Sequence, residues 1–153
     1  MNEKNFREVY PVVIEQNLVW GDMDAFGHLN NVAYFRLFET ARIKYFENLK
    51  VLEDMQTNGI GPILHSTNCR YRYPLTYPDS LLLGARIIEL GEDRFDMEHG
   101  VFSTRHECLA AQGKGLIVMV DYKKGGKVKI PENLLEQIAK TQGCDLEELK
   151  PES

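Results

Sequence analysis

Residues 19–46 read VWGDMDAFGHLNNVAYFRLFETARIKYF, and a change of period inside this stretch governs the reading of the whole chain. From Asn31 onward, Tyr34, Phe38, Ala41, Tyr45 and Leu49 recur at spacings of four, three, four and four, which is one face of a helix. Ala33, Leu37 and Phe46 widen that face, while Glu39, Arg42, Lys44 and Glu47 supply charged positions. So much apolar circumference predicts a long helix largely enclosed by the rest of the protein. Before it, Ile14, Gln16, Leu18 and Trp20 oppose Val13, Glu15, Asn17 and Val19, an imperfect alternation that predicts a strand over 12–20 after a polar lead-in.

Downstream of Gly59 the pattern is almost all strand. ILHSTNCRYRYP (63–74) alternates Ile63, His65, Thr67, Cys69, Tyr71 and Tyr73 against Leu64, Ser66, Asn68, Arg70 and Arg72, until Pro74 and the YPDS turn stop it. LLLGARIIEL and RFDMEHGVFST flank GED as a hairpin, and CLAAQGKGLIVMVDY is a long strand with Gly113 and Gly115 as bulge candidates. After the KKGGK turn, Pro131 suits the first position of a short helix, PENLLEQIAK, and Gly143 its end; the tail has room for one more helical turn. Strand, long helix, about four strands and a short helix, joined by short turns, predict an α+β fold with an antiparallel sheet packed on one enclosed helix.

The chain has 153 residues, 43% of them hydrophobic and 27% charged, which is enough for a real core and is expected to form one domain over 1–153 with its core at roughly 12–140. A formal net charge of -5 disfavours nucleic acid as the main partner, since phosphate contacts need a basic face. Cys69, Cys108 and Cys144 form no CxxC pair, and His99 and His106 have no ligand spacing, so no metal site is expected and a reducing compartment fits. The charged start, MNEKNFREVYPVVIEQ, has no apolar segment of a secretory signal, and no apolar run reaches the ~20 residues that cross a bilayer. A cytoplasmic protein without membrane insertion is the expectation.

The crossing between strand and helix carries the chemistry. Gly27 supplies an unusual backbone conformation, and Asn30 or Asn31 caps the helix, whose first N–H groups lack internal partners. Those N–H groups and the positive end of the helix dipole suit a developing negative charge. Asp24 lies near enough in sequence to fold back over the helix start. A carboxylate facing an oxyanion site is what acyl transfer requires. The same residues also describe a plain turn with an Asx cap, because Asp, Asn and Gly crowd into turns.

The whole segment resembles the signature of hot-dog fold acyl-CoA thioesterases of the 4-hydroxybenzoyl-CoA thioesterase type. Their pattern D-x-D-x-x-G-H-[VL]-N-N-x-x-Y, then E-x-x-R, is met by Asp22, Asp24, Gly27, His28, Leu29, Asn30, Asn31, Tyr34, Glu39 and Arg42. The likeness continues more weakly through CRYRYPLTYPDSLLL and LAAQGKGLIVMVDYKKGGKVKIP. The resemblance implies a five-stranded antiparallel sheet wrapped around the helix, homodimers or homotetramers, an acyl-CoA substrate, and no metal or redox cofactor. It implies Asp24 as the catalytic carboxylate, base or nucleophile, and the backbone N–H near Asn31 as the oxyanion donor. Gly27, His28, Asn30, Tyr34 and Glu39 are the candidate substrate-binding residues.

Other readings stand beside these. Asp22 is structural, and His28 either meets the thioester carbonyl, steadies Asp24 or simply packs. Glu39 and Arg42, three apart, form an i,i+3 ion pair, and His65 is a core or interface residue. Arg70 and Arg72 on one strand face, and Lys123, Lys124 and Lys127 around the KKGGK turn, are candidates for the CoA phosphates. Two alternative functions are an enoyl-CoA hydratase or dehydratase using His28 and Glu39, and a non-catalytic acyl-CoA binding module.

Overall fold

The computed structural model describes residues 1–151. In chain order its elements are α1 (Glu3–Val9), β1 (Val12–Asn17), a 3-10 turn (Trp20–Asp22), α2 (Asn31–Asn48), α3 (Val51–Asn58), β2 (Ile60–Thr67), β3 (Arg70–Tyr71), β4 (Ser80–Leu90), β5 (Arg94–Ser103), β6 (Cys108–Asp121), α4 (Glu132–Gln142) and a 3-10 turn (Leu146–Leu149). The sheet order is β1-β4-β5-β6-β2, with the short β3 also on β6, and every pairing is antiparallel. The sheet curls around α2, whose Tyr34, Phe38, Ala41 and Tyr45 are buried against Leu81, Leu83, Met97 and Val101. The expected α+β architecture of sheet around helix is therefore present.

Several boundaries differ from the sequence expectation, each for a visible reason. β1 ends at Asn17 because its partner β4 begins opposite, at Ser80; Trp20 then stands 74% exposed in the 3-10 turn. The polar lead-in is the helix α1, closed by an Asn2/Asn5 capping box. It lays Phe6 and the following Tyr10 on the outer face of the sheet beside Leu82 and Phe102. Two aromatic anchors in so short a segment make no period to read. α3 is equally illegible in the sequence, starting after Lys50 in the left-handed region (φ 59°) and ending at Gly59 (φ 74°).

The predicted strand 63–73 is two strands. A register shift between Leu64 and Ser66 precedes the end of β2, and the chain steps past Asn68 before β3 rejoins β6. Gly113 and Gly115 are not bulges: they pair regularly with His99 and Met97. Gly113 is small because Phe38 and the Asn68 backbone press on it, a Cβ there lying 2.5 Å from Phe38 Cε2. Pro131 sits one residue before α4 as its cap, with φ -60°. Gln142 fastens the end of α4 to the sheet, exchanging hydrogen bonds with Ile87 N–H (2.8 Å) and carbonyl (3.2 Å) and accepting one from the Tyr45 hydroxyl (2.6 Å).

The helix is less enclosed than its apolar content suggests. Val32, Phe35 and Ile43 are 67%, 36% and 48% exposed, which leaves part of the apolar circumference of α2 open, with Ile43 between Ile14 of the edge strand β1 and Pro62 of the edge strand β2. Among the described residues no helix is long and apolar enough to cross a membrane.

Candidate active site

Asp24 is held by its own loop. Its Oδ1 accepts hydrogen bonds from Phe26 N–H (2.8 Å) and His28 N–H (3.2 Å), while its N–H donates to the His28 carbonyl (2.7 Å). Gly27, at φ 81°, makes this tight reversal possible. The loop is anchored on both sides: Leu29 N–H donates to the Leu75 carbonyl and Asn30 N–H to the Asp22 carbonyl, at 2.8 and 2.9 Å. The Asp22 side chain turns to Arg36 at 3.0 Å, a structural role.

α2 begins immediately after. The Asn30 side chain accepts from Val32 N–H at 3.0 Å and its carbonyl from Ala33 N–H at 2.9 Å. The intervening Asn31 N–H donates to no group among the described residues, so one strong donor at the positive end of α2 is free. Asp24, His28, Asn31 and Tyr34 share a cleft of about 250 Å³ with Leu29, Tyr71, Arg72, Tyr73 and Pro74. The residue with the loop-held carboxylate and the residue with the unused N–H thus line one small cleft.

Tyr34 forms the wall of this cleft, 3% exposed and edge-on to Tyr71 with ring centroids 5.0 Å apart. Burial pushes its phenol up to about 12, so it stays neutral and serves as packing or as a donor. Tyr71, Tyr73 and Pro74 line this cleft as well, and the sequence reading misses them. The alternation around Arg70 and Arg72 puts both tyrosines on one face, but only the chain's return past α2 brings that face to Asp24.

The phosphate candidates separate. Arg72 lines the Asp24 cleft and also an adjoining one of about 490 Å³ that contains Arg70, Lys114, Asn68 and Gln112. Lys123 and Lys124 are held by Asp121 Oδ1 through their N–H groups, in the turn packed on Gly59, and Lys127 bridges to Val120. Within one chain this turn does not line the Asp24 cleft.

Glu39 is exposed two turns along α2 and does not line the cleft that holds His28, so one chain does not bring the hydratase pair together. The expected Glu39–Arg42 ion pair is absent among the described residues. Arg42 instead turns inward, 6% exposed; burial lowers its pKa, with the Glu39 charge pulling the other way. His65 is exposed on β2. The described residues contain no grouping of three or more metal-ligating side chains.

An antiparallel sheet curled around one long helix is the hot-dog architecture. The chain belongs to the thioesterase-like superfamily, whose family profile matches residues 18–138, and it is a thioester hydrolase by class. Among solved structures it is similar to a Thermus thermophilus thioesterase complexed with coenzyme A and zinc, at 27% identity and TM-score 0.77, over 90% of this chain and 98% of that one. It is likewise similar to the PA5185 protein of Pseudomonas aeruginosa, at 29% identity and TM-score 0.77, over 89% and 94% of the two chains. The chloroplastic acyl-acyl carrier protein thioesterase ATL3 of Arabidopsis thaliana is 23% identical over 74% of this chain, which spans 60% of that protein.

Proposed function

We propose that this chain hydrolyses an acyl-CoA thioester to the free acid and CoA at the cleft between Asp24 and the start of α2. The carrying observation is the pairing of a loop-held carboxylate with the free Asn31 N–H. With the thioester oxygen on the Asn31 N–H, negative charge develops where the helix dipole favours it. Asp24 Oδ1 is engaged by two N–H groups, which leaves Oδ2 to act. As a base, Oδ2 takes a proton from water while the water oxygen bonds to the carbonyl carbon. The tetrahedral intermediate then collapses, the C–S bond breaks, and the thiolate leaves and takes up the proton. As a nucleophile, Oδ2 would itself bond to that carbon, release the thiolate and form an anhydride that water opens.

The other candidates support binding. His28 and Tyr34 border the acyl entrance, and Gly27 and Asn30 shape the loop and cap. Arg70, Arg72 and Lys114 line the adjoining cleft with Glu98, whose carboxylate is engaged by Arg86 and Gln112, and these three cations are the candidates for the phosphates. The pantetheine arm of CoA and that of an acyl carrier protein both bring a phosphate, and the similarity to ATL3 makes the carrier-bound substrate the natural comparison. We further infer a homo-oligomer built through β2 and the open side of α2. β2 is a free sheet edge with Ile63 and Leu64 48% and 39% exposed, and its Pro62 shares a groove with the exposed Ile43 of α2. Three free cysteines suit a cytoplasmic setting.

The test is thiol release from short-, medium- and long-chain acyl-CoA, a benzoyl-type CoA and an acyl carrier protein thioester, with Asp24→Asn in parallel. The variant should lose roughly 10²–10⁴-fold in kcat while keeping its fold. Equal rates for both proteins on every substrate would remove Asp24 from the mechanism. Uptake of water by an enoyl-CoA without thiol release would replace hydrolysis with hydration.

A further inference from the structure

Asp24 is the one residue common to two clefts. The first contains Asn31 and Arg72, and through Arg72 it continues into the cleft of Arg70 and Lys114. The second, of about 630 Å³, has Trp20, Met23, Ala25 and Tyr77 for side chains besides Asp24, with Gly21 and Gly27 completing its lining. No cation lines it. A Cβ added at Gly21 or at Gly27 would meet no atom within 4 Å, so the space beside both is open.

The aromatic walls stand on fixed backbone. Leu18 N–H donates to the Asp79 carbonyl at 2.9 Å, which ties the segment carrying Trp20 to the one carrying Tyr77. Trp20 opens a 3-10 turn closed by Asp22 N–H on the Val19 carbonyl (3.0 Å) and Met23 N–H on the Trp20 carbonyl (3.2 Å). Behind Tyr77, the buried Asp79 carboxylate accepts from the Ser103 hydroxyl and the Arg105 N–H. Yet the rings themselves are bare, Trp20 at 74% and Tyr77 at 49% exposure. Large apolar side chains left open around a cleft mark a place where something binds.

We propose that this second cleft receives the acyl group, and that Trp20 and Tyr77 select acyl groups ending in a flat aromatic ring over alkyl chains. The inference rests on the hydrolytic reading above. A thioester at Asp24 sends one arm toward phosphates and the other toward the acyl terminus. Phosphates need the cations of the first side, which leaves the uncharged aromatic side to the acyl arm. Because that cleft is open, an alkyl chain lying in it stays partly in water and gains little from added length. A flat ring instead lays a whole face or edge against indole or phenol, an arrangement that aromatic pairs favour beyond the area they cover.

The experiment compares kcat/KM of the full chain for 3-phenylpropanoyl-CoA, 3-cyclohexylpropanoyl-CoA and nonanoyl-CoA, which share one carbon count. A saturated spacer separates ring from carbonyl, so the three thioesters are alike in reactivity. The phenyl substrate should exceed each of the others by about three- to tenfold. In Trp20→Leu, and independently in Tyr77→Leu, that ratio should fall toward one, whereas Arg72→Gln should slow all three alike. Because the ratio is taken within each protein, a general loss of activity cancels. A wild-type ratio of one or below, or a ratio that neither ring variant moves, overturns the proposal. Trp20 is also the single tryptophan of the chain, so its fluorescence reads the cleft without turnover. S-(3-phenylpropyl)-CoA, a thioether that cannot be hydrolysed, should move the emission to shorter wavelength as the bare indole is covered, and CoA alone should not. That shift, with no thiol released from any thioester, would sink the hydrolytic reading and leave the cleft assignment standing. An equal shift with CoA alone, or none with the thioether, would overturn the assignment whatever the rates.

Discussion

At the scale of single residues, His99 makes the folded protein sensitive to acid. Burial first, and the Arg42 cation second, hold its imidazole far below the ordinary 6.5, at about 3. In the unfolded chain it takes a proton near 6.5, while in the folded chain it stays neutral until about 3. Its contribution is therefore fully present above pH 6.5 and is lost as the pH falls toward 3. Per pH unit this amounts to at most about 1.4 kcal/mol. Denaturant titrations of wild type and His99→Phe between about pH 4 and 6 should show a steeper decline in the wild type, by up to that slope. Parallel curves would mean that His99 is as easily protonated folded as unfolded. Asp24 and the Asn31 N–H are readable at this same scale, since residues close in sequence, a positive-φ glycine and a cap determine their placement. His99 is not: on its strand it is one histidine among apolar neighbours, and only α2 overhead removes it from water.

At the scale of elements, glycines and aromatics decide what fits. Tyr10 lies across Gly84 and Gly100, where added Cβ atoms would come within 2.5 Å of Tyr10 Cγ and 2.7 Å of its hydroxyl oxygen. α1 thus covers part of the outer sheet face by fitting an aromatic ring over two missing side chains. Tyr10→Ala should cost about 3–5 kcal/mol in unfolding free energy, as truncation of a large buried aromatic does. Gly113→Ala should cost about 1–3 kcal/mol, because the added methyl meets Phe38 and the Asn68 backbone at once. Chemical denaturation checks both, and a neutral Gly113→Ala would show that the step at Asn68 yields easily. The long strands β4, β5 and β6 are legible because alternation and turn residues recur over enough positions. α1 and α3 have too few apolar residues to show a period, and the division of β2 from β3 depends on what Asn68 meets on β6.

For the molecule as a whole, the edge strand β2, with exposed Ile63 and Leu64 and a groove shared with Ile43 of α2, is the surface that the proposed association would cover. Ile63→Asp should weaken self-association by about ten- to a hundredfold, the equivalent of the roughly 1.5–3 kcal/mol of one buried aliphatic side chain. Sedimentation across a concentration series measures this, and an unchanged or monomeric wild type would place the contact elsewhere or remove it. By itself the sequence determined the long helix, the antiparallel strands around it, the carboxylate loop at its start and the superfamily signature. Each depends on residues close together in the chain, where period, capping and backbone conformation act directly. The tertiary structure alone decided that Arg42 turns inward instead of pairing with Glu39, that His99 is buried without partners, and that Arg72 rather than the Lys123 turn borders Asp24 within the chain. Those outcomes depend on desolvation and packing between segments far apart in sequence, which no local pattern encodes.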